Sequence, residues 1–371
     1  MDERVTARPR GARSTPSARA WAIALGLYCA TWFSVWATYG FFWNGGPPWA
    51  SASAAIEAFT FAAGLMTIFT AHEAGHYLVA RRWGVRQSLP HFIPFPMAFG
   101  TLGAIIRLRS APPNRSALLE IGAAGPIAGF VVALVVLVLA MPDTVQIAEP
   151  TLQVPWPLPP LPAPQPPGAL EAVLSTWPLS VVFPVPPADA LQLVVLANPL
   201  VMDLVGILVI GAAPGRYAEL SPLGMAAWAG CFLTAMNLLP IGQLDGGHVL
   251  HALSPKHASK ISAAVLVLVV CAGVLWGGWL VWGLLLRVMG AHRGVVLLDG
   301  DPPRRMSIAA AAGALLSWVG CVMPQPLVPE SWPIHTIRLQ TEDGRVISDA
   351  EKAAWLDAGA GAATAAQPEV P

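Results

Sequence analysis

Thr70-Ala71-His72-Glu73-Ala74-Gly75-His76-Tyr77 lies inside a long apolar run from Ala54 to Ala80. His72 and His76 are four residues apart, so on a helix both imidazoles project from one face about one turn apart. That spacing lets both rings reach one Zn²⁺ at roughly 2.0–2.1 Å. Glu73 is rotated by about 100° from His72, beside such an ion but off its ridge, and is placed to take a proton from an attacking water. Random placement of these residue types gives His-Glu-x-x-His in a chain of this composition on the order of half a per cent of the time. Three ionisable groups in five residues of a membrane-length apolar run add weight, because such groups are costly in lipid and mark functional sites.

Composition points the same way. Hydrophobic residues make up 55% of the 371 residues and charged ones 11%, with a mean hydropathy of +0.58. A soluble domain carries about 25% charged residues. The deficit, with several apolar runs near membrane length, predicts an all-α polytopic membrane protein: a helical bundle of about six to seven spans, with a re-entrant segment and an interfacial β-hairpin. The lipid bilayer is therefore an expected partner. The formal net charge of zero gives no reason to expect a nucleic-acid partner. Cys29, Cys231, Cys271 and Cys321 all sit in apolar stretches without a C-x-x-C spacing and read as buried small hydrophobes.

Working outward, residues 1–19 form a flexible basic arm with Arg4, Arg8, Arg10, Arg13 and Arg19, which places the N-terminus in the cytoplasm. Residues 20–141 hold the first three spans, the His-Glu-x-x-His motif and the hairpin. Arg81, Arg82 and Arg86 follow the second span, so the motif is expected near the cytoplasmic face. Between 87 and 115 the helix breakers Pro90, Pro94, Pro96, Gly100 and Gly103 exclude a span, and alternation from Leu102 to Arg109 predicts a strand. This stretch is expected at the membrane surface, as a hairpin with an edge open to a substrate strand or as a plain loop. Gly125 and Gly129 form a small-xxx-small pair in the third span, expected to pack on the metal-bearing helix.

Residues 142–190, Pro-dense and without Lys or Arg, read as an extracytoplasmic linker. The segment 191–260 is expected to combine a stretch over 191–210 that is re-entrant or lies along the outer interface with a span ending in Asn237-Leu-Leu-Pro240-Ile-Gly242-Gln-Leu244-Asp245-Gly246-Gly247-His248. Residues 261–328 supply the C-terminal spans, with 261–289 read either as one tilted helix or as a tight hairpin. Residues 329–371 form a soluble tail with a capping-box signature at Ser348-Asp-Ala-Glu351.

Two histidines do not complete a catalytic zinc site, which needs a third protein ligand and an open position. From spacing alone Asp245 is either that ligand or an inner-surface loop acid, and His248 competes with it. Asn237 is positioned to hydrogen-bond across helices or to hold substrate backbone.

These motifs together resemble the site-2 protease family of intramembrane zinc metalloproteases. The resemblance rests on His72-Glu73-x-x-His76, the Gly125-Pro126 helix and Asn237-x-x-Pro240-x-x-x-Leu244-Asp245-Gly246. Ser88-Leu-Pro-His-Phe-Ile-Pro-Phe-Pro, Gly100-Thr-Leu-Gly-Ala-Ile-Ile-Arg and Pro113-Asn-Arg are similar to its plastid and bacterial branch without an inserted PDZ domain. It covers residues 55–255. It implies one Zn²⁺ per chain held by His72, His76 and Asp245, with Glu73 as the catalytic acid–base and Asn237 as a substrate-positioning group. It also implies a transmembrane protein as substrate, cleaved in or near its membrane segment. The short N-terminal arm favours a bacterial cytoplasmic membrane over a plastid one. A membrane zinc transporter and an inactive helix-binding scaffold are the rival classes. The first would spread its polar groups along a path, and the second would lose Glu73 or a ligand.

Overall fold

A computed structural model of the chain describes residues 16–106, 108–147, 151–154, 190–196, 198–211, 217–274, 278–288, 303–321, 327–333, 338–341 and 345–355. Most of the basic arm, Arg107, the body of the Pro-rich linker, Trp276-Gly277, Arg293 and the last sixteen residues lie outside the described residues.

Three helices are long and apolar enough to cross a membrane. The first, α1 (Ala18–Thr38), starts where the Ser17 side chain accepts from the Ala20 amide at 3.2 Å, and a π-helical turn extends it through Trp43. The second, α2 (Ala52–Arg82), is capped by Ser51, ends in Arg81 and Arg82, and carries the His-Glu-x-x-His motif. The third, α3 (Arg115–Ala140), is capped by the Asn114 side chain, which accepts from the Ala117 amide at 2.8 Å. Among the described residues the expected six to seven spans are not reached by helix length. The remaining helices are α4 (Leu200–Ile210), α5 (Pro222–Asn237), α6 (Asp245–Leu253), α7 (Pro255–Cys271), α8 (Gly278–Val288) and α9 (Arg305–Cys321). α4 has 11 residues, so it rises about 16 Å, roughly half the hydrocarbon thickness.

α2, α3 and α5 form the core, and they meet through small residues. A Cβ on Gly64 would lie 2.8 Å from Ala226 of α5, and one on Gly230 would lie 2.7 Å from Ile68 of α2. Phe61, Leu65, Met66, Ile68, Leu137 and Trp228 are fully buried where these helices meet. Apolar side chains elsewhere point outward. Trp21, Leu25 and Phe33 on α1 are 57%, 62% and 63% exposed, as suits a lipid-facing surface.

The stretch 87–109 does contain an antiparallel hairpin, β1 (His91–Pro94) against β2 (Thr101–Ile105), with His91 opposite Ile105. It packs along α1. The Phe92 ring meets Tyr28 edge-on at 5.1 Å, and a Cβ on Gly100 would strike the backbone of Val35. Farther along, Trp43 donates from Nε1 to the Ala98 carbonyl at 2.9 Å and stacks on Phe99. The hairpin thus follows α1 from its middle to its far end, and its turn is pressed among Trp43, Trp228 and Phe232. Short segments broken by Pro and Gly cannot span as helices. Paired as two strands and packed against α1, they satisfy backbone groups within the protein.

α7 and α8 pack as two separate helices, with the place of a Cβ on Gly273 filled by Leu280. The chain then returns. The Arg304 amide donates to Ser116 Oγ at 3.0 Å and Ser307 donates to Glu120 at 2.7 Å, so α9 begins beside the start of α3 and the end of α2. α9 leads away to β7 (Leu327–Pro333), which pairs antiparallel with β5 (Ala190–Leu196), and to β8 (Arg338–Thr341), parallel to β4 (Thr151–Val154). A third pairing joins β3 (Val145–Ile147) to β6 (Tyr217–Glu219). The tail therefore strand-pairs with segments on either side of the Pro-rich stretch. At Ser348 the two capping-box bonds are present: the Ser348 amide donates to Glu351 at 2.9 Å and the Glu351 amide donates to Ser348 Oγ at 3.3 Å.

Candidate metal centre

α2 presents His72 and His76 one turn apart towards α3 and α6. The opposing face of α3 is built from absent side chains. A Cβ on Gly125 would overlap the His76 ring, and one on Gly129 would lie 3.2 Å from His72 Nδ1. The reciprocal gap is on α2, where a Cβ on Gly75 would approach the Ala124 carbonyl carbon to 2.9 Å. These three glycines let the helices close to backbone distance while two imidazoles fit between them.

The third group comes from far along the chain. After α5 ends at Asn237, the loop 238–244 turns back on itself, with Gly242 at φ +49°. The loop then lies over the first turn of α6, where a Cβ on Gly246 would overlap the Leu238 carbonyl and one on Gly247 the Gly242 carbonyl. Only glycine fits beneath that loop at 246 and 247, and Asp245 stands just before them at the opening of the helix, where a carboxylate is favoured by the dipole. α3 holds α6 from both ends. Gly122 sits against Asp245 and His248, and Arg115 donates to the Ala252 and Leu253 carbonyls at 2.8 Å each.

Three donor atoms converge as a result. His72 Nε2 lies 3.1 Å from Asp245 Oδ2, His76 Nε2 lies 3.2 Å from Asp245 Oδ1, and the two Nε2 atoms are 3.2 Å apart. Three ligands at about 2.0–2.1 Å from a tetrahedral zinc are about 3.3 Å from one another, so the set has the right size. Its chemistry also fits, since neutral imidazole nitrogen and carboxylate oxygen with one position left open make a catalytic-type set. The His76 tautomer is settled by its surroundings: Nδ1 donates to the Ile121 carbonyl at 2.7 Å, which leaves the Nε2 lone pair for the centre. Glu73 is buried at 8% exposure on the same helix and within electrostatic reach of all three groups.

Among the described residues this is the one group of three His, Cys, Asp or Glu side chains close enough to hold a metal ion. His248, the competing ligand, instead donates from Nδ1 to the Leu244 carbonyl at 2.9 Å, within its own helix. Asn237 closes α5, half-buried, eight residues before Asp245. Glu57, on the same helix as the motif, accepts from the Asn44 side chain at 3.0 Å and takes no part. The Ile121 carbonyl and the fit of Gly75 are features that motif reading missed. The first has no side-chain signal at all, while a glycine inside a helical pattern flags the second.

Similarity to known proteins agrees with this geometry. The chain is 32% identical over 205 residues to the chloroplastic "Probable zinc metalloprotease EGY2" of rice (Oryza sativa subsp. indica), a match covering 53% of this chain and 29% of that protein. It is 29% identical over 208 residues to the chloroplastic "Probable zinc metalloprotease EGY1" of Arabidopsis thaliana, covering 54% and 30%. The chain thus matches less than a third of the length of these curated relatives. Their plant, chloroplastic names give no support to the expectation of a bacterial membrane. No solved structure matches the chain. Peptidase family M50 matches over residues 60–276, more than half of the chain and inclusive of His72, Glu73, His76, Asn237 and Asp245. With its motifs, and with the three groups they bring together, the chain belongs to peptidase family M50, the site-2 protease family.

Proposed function

We propose that the protein is a zinc-dependent intramembrane endopeptidase that hydrolyses peptide bonds in or near transmembrane segments of membrane-protein substrates. One observation carries the reading: residues 173 positions apart, His72 and Asp245, converge with His76 on a point between helices at tetrahedral ligand spacing. His72, His76 and Asp245 would hold one zinc per chain. What the ion supplies when bound is Lewis acidity at the scissile carbonyl and a water acidified towards neutral pH.

The chain's own groups do the rest. The Glu73 carboxylate accepts the proton of the attacking water and returns it to the leaving amide nitrogen. Ile121 and the glycines of α3 keep the imidazoles oriented, so little reorganisation is needed at the reaction step. A substrate helix hides its carbonyls in i→i−4 bonds and must unwind locally before attack. β2, the second strand of the hairpin, pairs with β1 along one edge; its other edge would suit such an unwound segment, and Asn237 would hold substrate backbone near the centre.

The test is cleavage of a single-span reporter co-reconstituted in liposomes. Wild type should cut it in or near the span and Glu73→Gln should cut it at least about 10²-fold more slowly, while both retain zinc. Cutting by Glu73→Gln at the wild-type rate would refute the assigned chemistry.

A further inference from the structure

A second polar site lies outside the metal centre, at the same end of the helices. A cavity of about 370 Å³ is lined by Arg82, Trp83, Glu120, Arg304 and Arg305. Three elements meet there: the end of α2, the first turns of α3 and the opening of α9. Glu120 is already engaged, accepting from Trp83 Nε1 at 2.8 Å and from Ser307 Oγ at 2.7 Å, both neutral donors. Among the described residues, none of the three guanidiniums forms an ion pair. With three cations and one carboxylate the cavity carries a formal charge of +2.

Its surroundings identify the ligand. Arg82 ends a helix long enough to cross the membrane, so the cavity sits at headgroup level, where tryptophan and arginine are favoured. Guanidinium forks match phosphate oxygens two at a time. Leu78, four residues before Arg82 on the same face of α2, is 61% exposed, and Ile308, one turn into α9, is 51% exposed. Each stands one turn from an arginine of the cavity, Leu78 from Arg82 and Ile308 from Arg304, and would offer an acyl chain an apolar surface beside the headgroup. A free phosphate would use the arginines and leave those surfaces bare.

We propose that this cavity binds the phosphate headgroup of one anionic phospholipid, which ties α9 to the α2–α3 pair. Basic pockets between membrane helices on the inner side take such headgroups. The inference does not depend on the protease reading.

Native mass spectrometry of the full chain in neutral detergent tests it, with phosphatidylglycerol and phosphatidylcholine offered together. One phosphatidylglycerol should stay bound in preference to phosphatidylcholine, and millimolar inorganic phosphate should not displace it. Arg304→Gln with Arg305→Gln should lower that occupancy on the order of tenfold or more. Arg81→Gln with Arg86→Gln removes the same charge outside the cavity and should leave it unchanged. Arg82→Gln, on the opposite wall, should repeat the loss and serves as the readout if the double variant fails to fold. Equal retention of both lipids, or equal loss in the Arg81/Arg86 variant, would overturn the proposal. Displacement by inorganic phosphate alone would replace the lipid with a free phosphate site.

Discussion

The contact between α2 and α3 and the outer face of α1 show two opposite uses of an apolar helix. At the first, the residues that matter are the smallest. Gly75, Gly125 and Gly129 remove side chains so that two histidines and a carboxylate can meet between backbones. At the second, Trp21, Leu25 and Phe33 project outward, and Gly26 has open space around it. In water the large apolar residues mark the core. In a membrane they are free to face lipid, and close packing is marked by small residues and by the polar groups they shelter.

The largest expected effect contrasts two acids of one helix. Glu57 and Glu73 are both on α2, about 24 Å apart along its axis. Glu73→Gln should lower the cleavage rate by about 10²–10⁴-fold with zinc retained, while Glu57→Gln should leave the rate within error of wild type. A comparable loss in both would dissolve the distinction between the sheltered face and the rest of the helix.

The glycines sharpen it further. Gly125→Ala places a methyl group in the His76 ring and should weaken zinc binding by about 10–100-fold, read by competition with a chelator. Gly26→Ala, in open space within a helix, should leave zinc binding unchanged and raise stability by up to about 1 kcal/mol. Zinc affinity unchanged in Gly125→Ala would mean that α3 does not press on the site as described.

A similar pair exists at the hairpin. Gly100 has φ +81° and faces the Val35 backbone, whereas Gly45 has φ +70° and open surroundings. Both alanine variants pay for the left-handed backbone, but only Gly100→Ala must also push the hairpin off α1. Its thermal unfolding should therefore indicate a further loss of about 1–3 kcal/mol. Equal losses would mean that the hairpin does not press on α1 as described.

The smallest effect belongs to the tail helix 349–355. The Ser348 backbone amide, then the Arg345 guanidinium, hold the Glu351 carboxyl down at about 2. A depressed carboxylate pKa means that the unfolded chain binds more protons between the two pKa values. The cap should be fully effective above about pH 4.5 and should weaken as pH falls towards 2, read as faster amide exchange over 349–355 relative to β8. Exchange that stays constant over that interval would remove Glu351 from the cap.

Much of this was legible beforehand for reasons that can be named. His72, Glu73 and His76 are local, so helical geometry alone places them on adjacent faces, and the Ser348–Glu351 cap is equally short-range. Asp245 was open from spacing, because nothing local separates a ligand from a loop acid. Its meeting with His72 and His76 needs the turn at Gly242 and the overlying loop, both of which are tertiary. The strand pairing of the hairpin is legible as alternation, but its packing along α1 is not. Alternation reports which side chains share a face and says nothing about what covers them. The Ile121 carbonyl was invisible, since every residue carries one.

Zinc per chain, measured by elemental analysis on purified wild type and Asp245→Ala in detergent, tests the central claim most directly. The two distant motifs forming one centre predicts one zinc in the wild type, and loss or sharp weakening in the variant. Full zinc retention by Asp245→Ala would contradict that account and leave His72 and His76 to find their third ligand elsewhere.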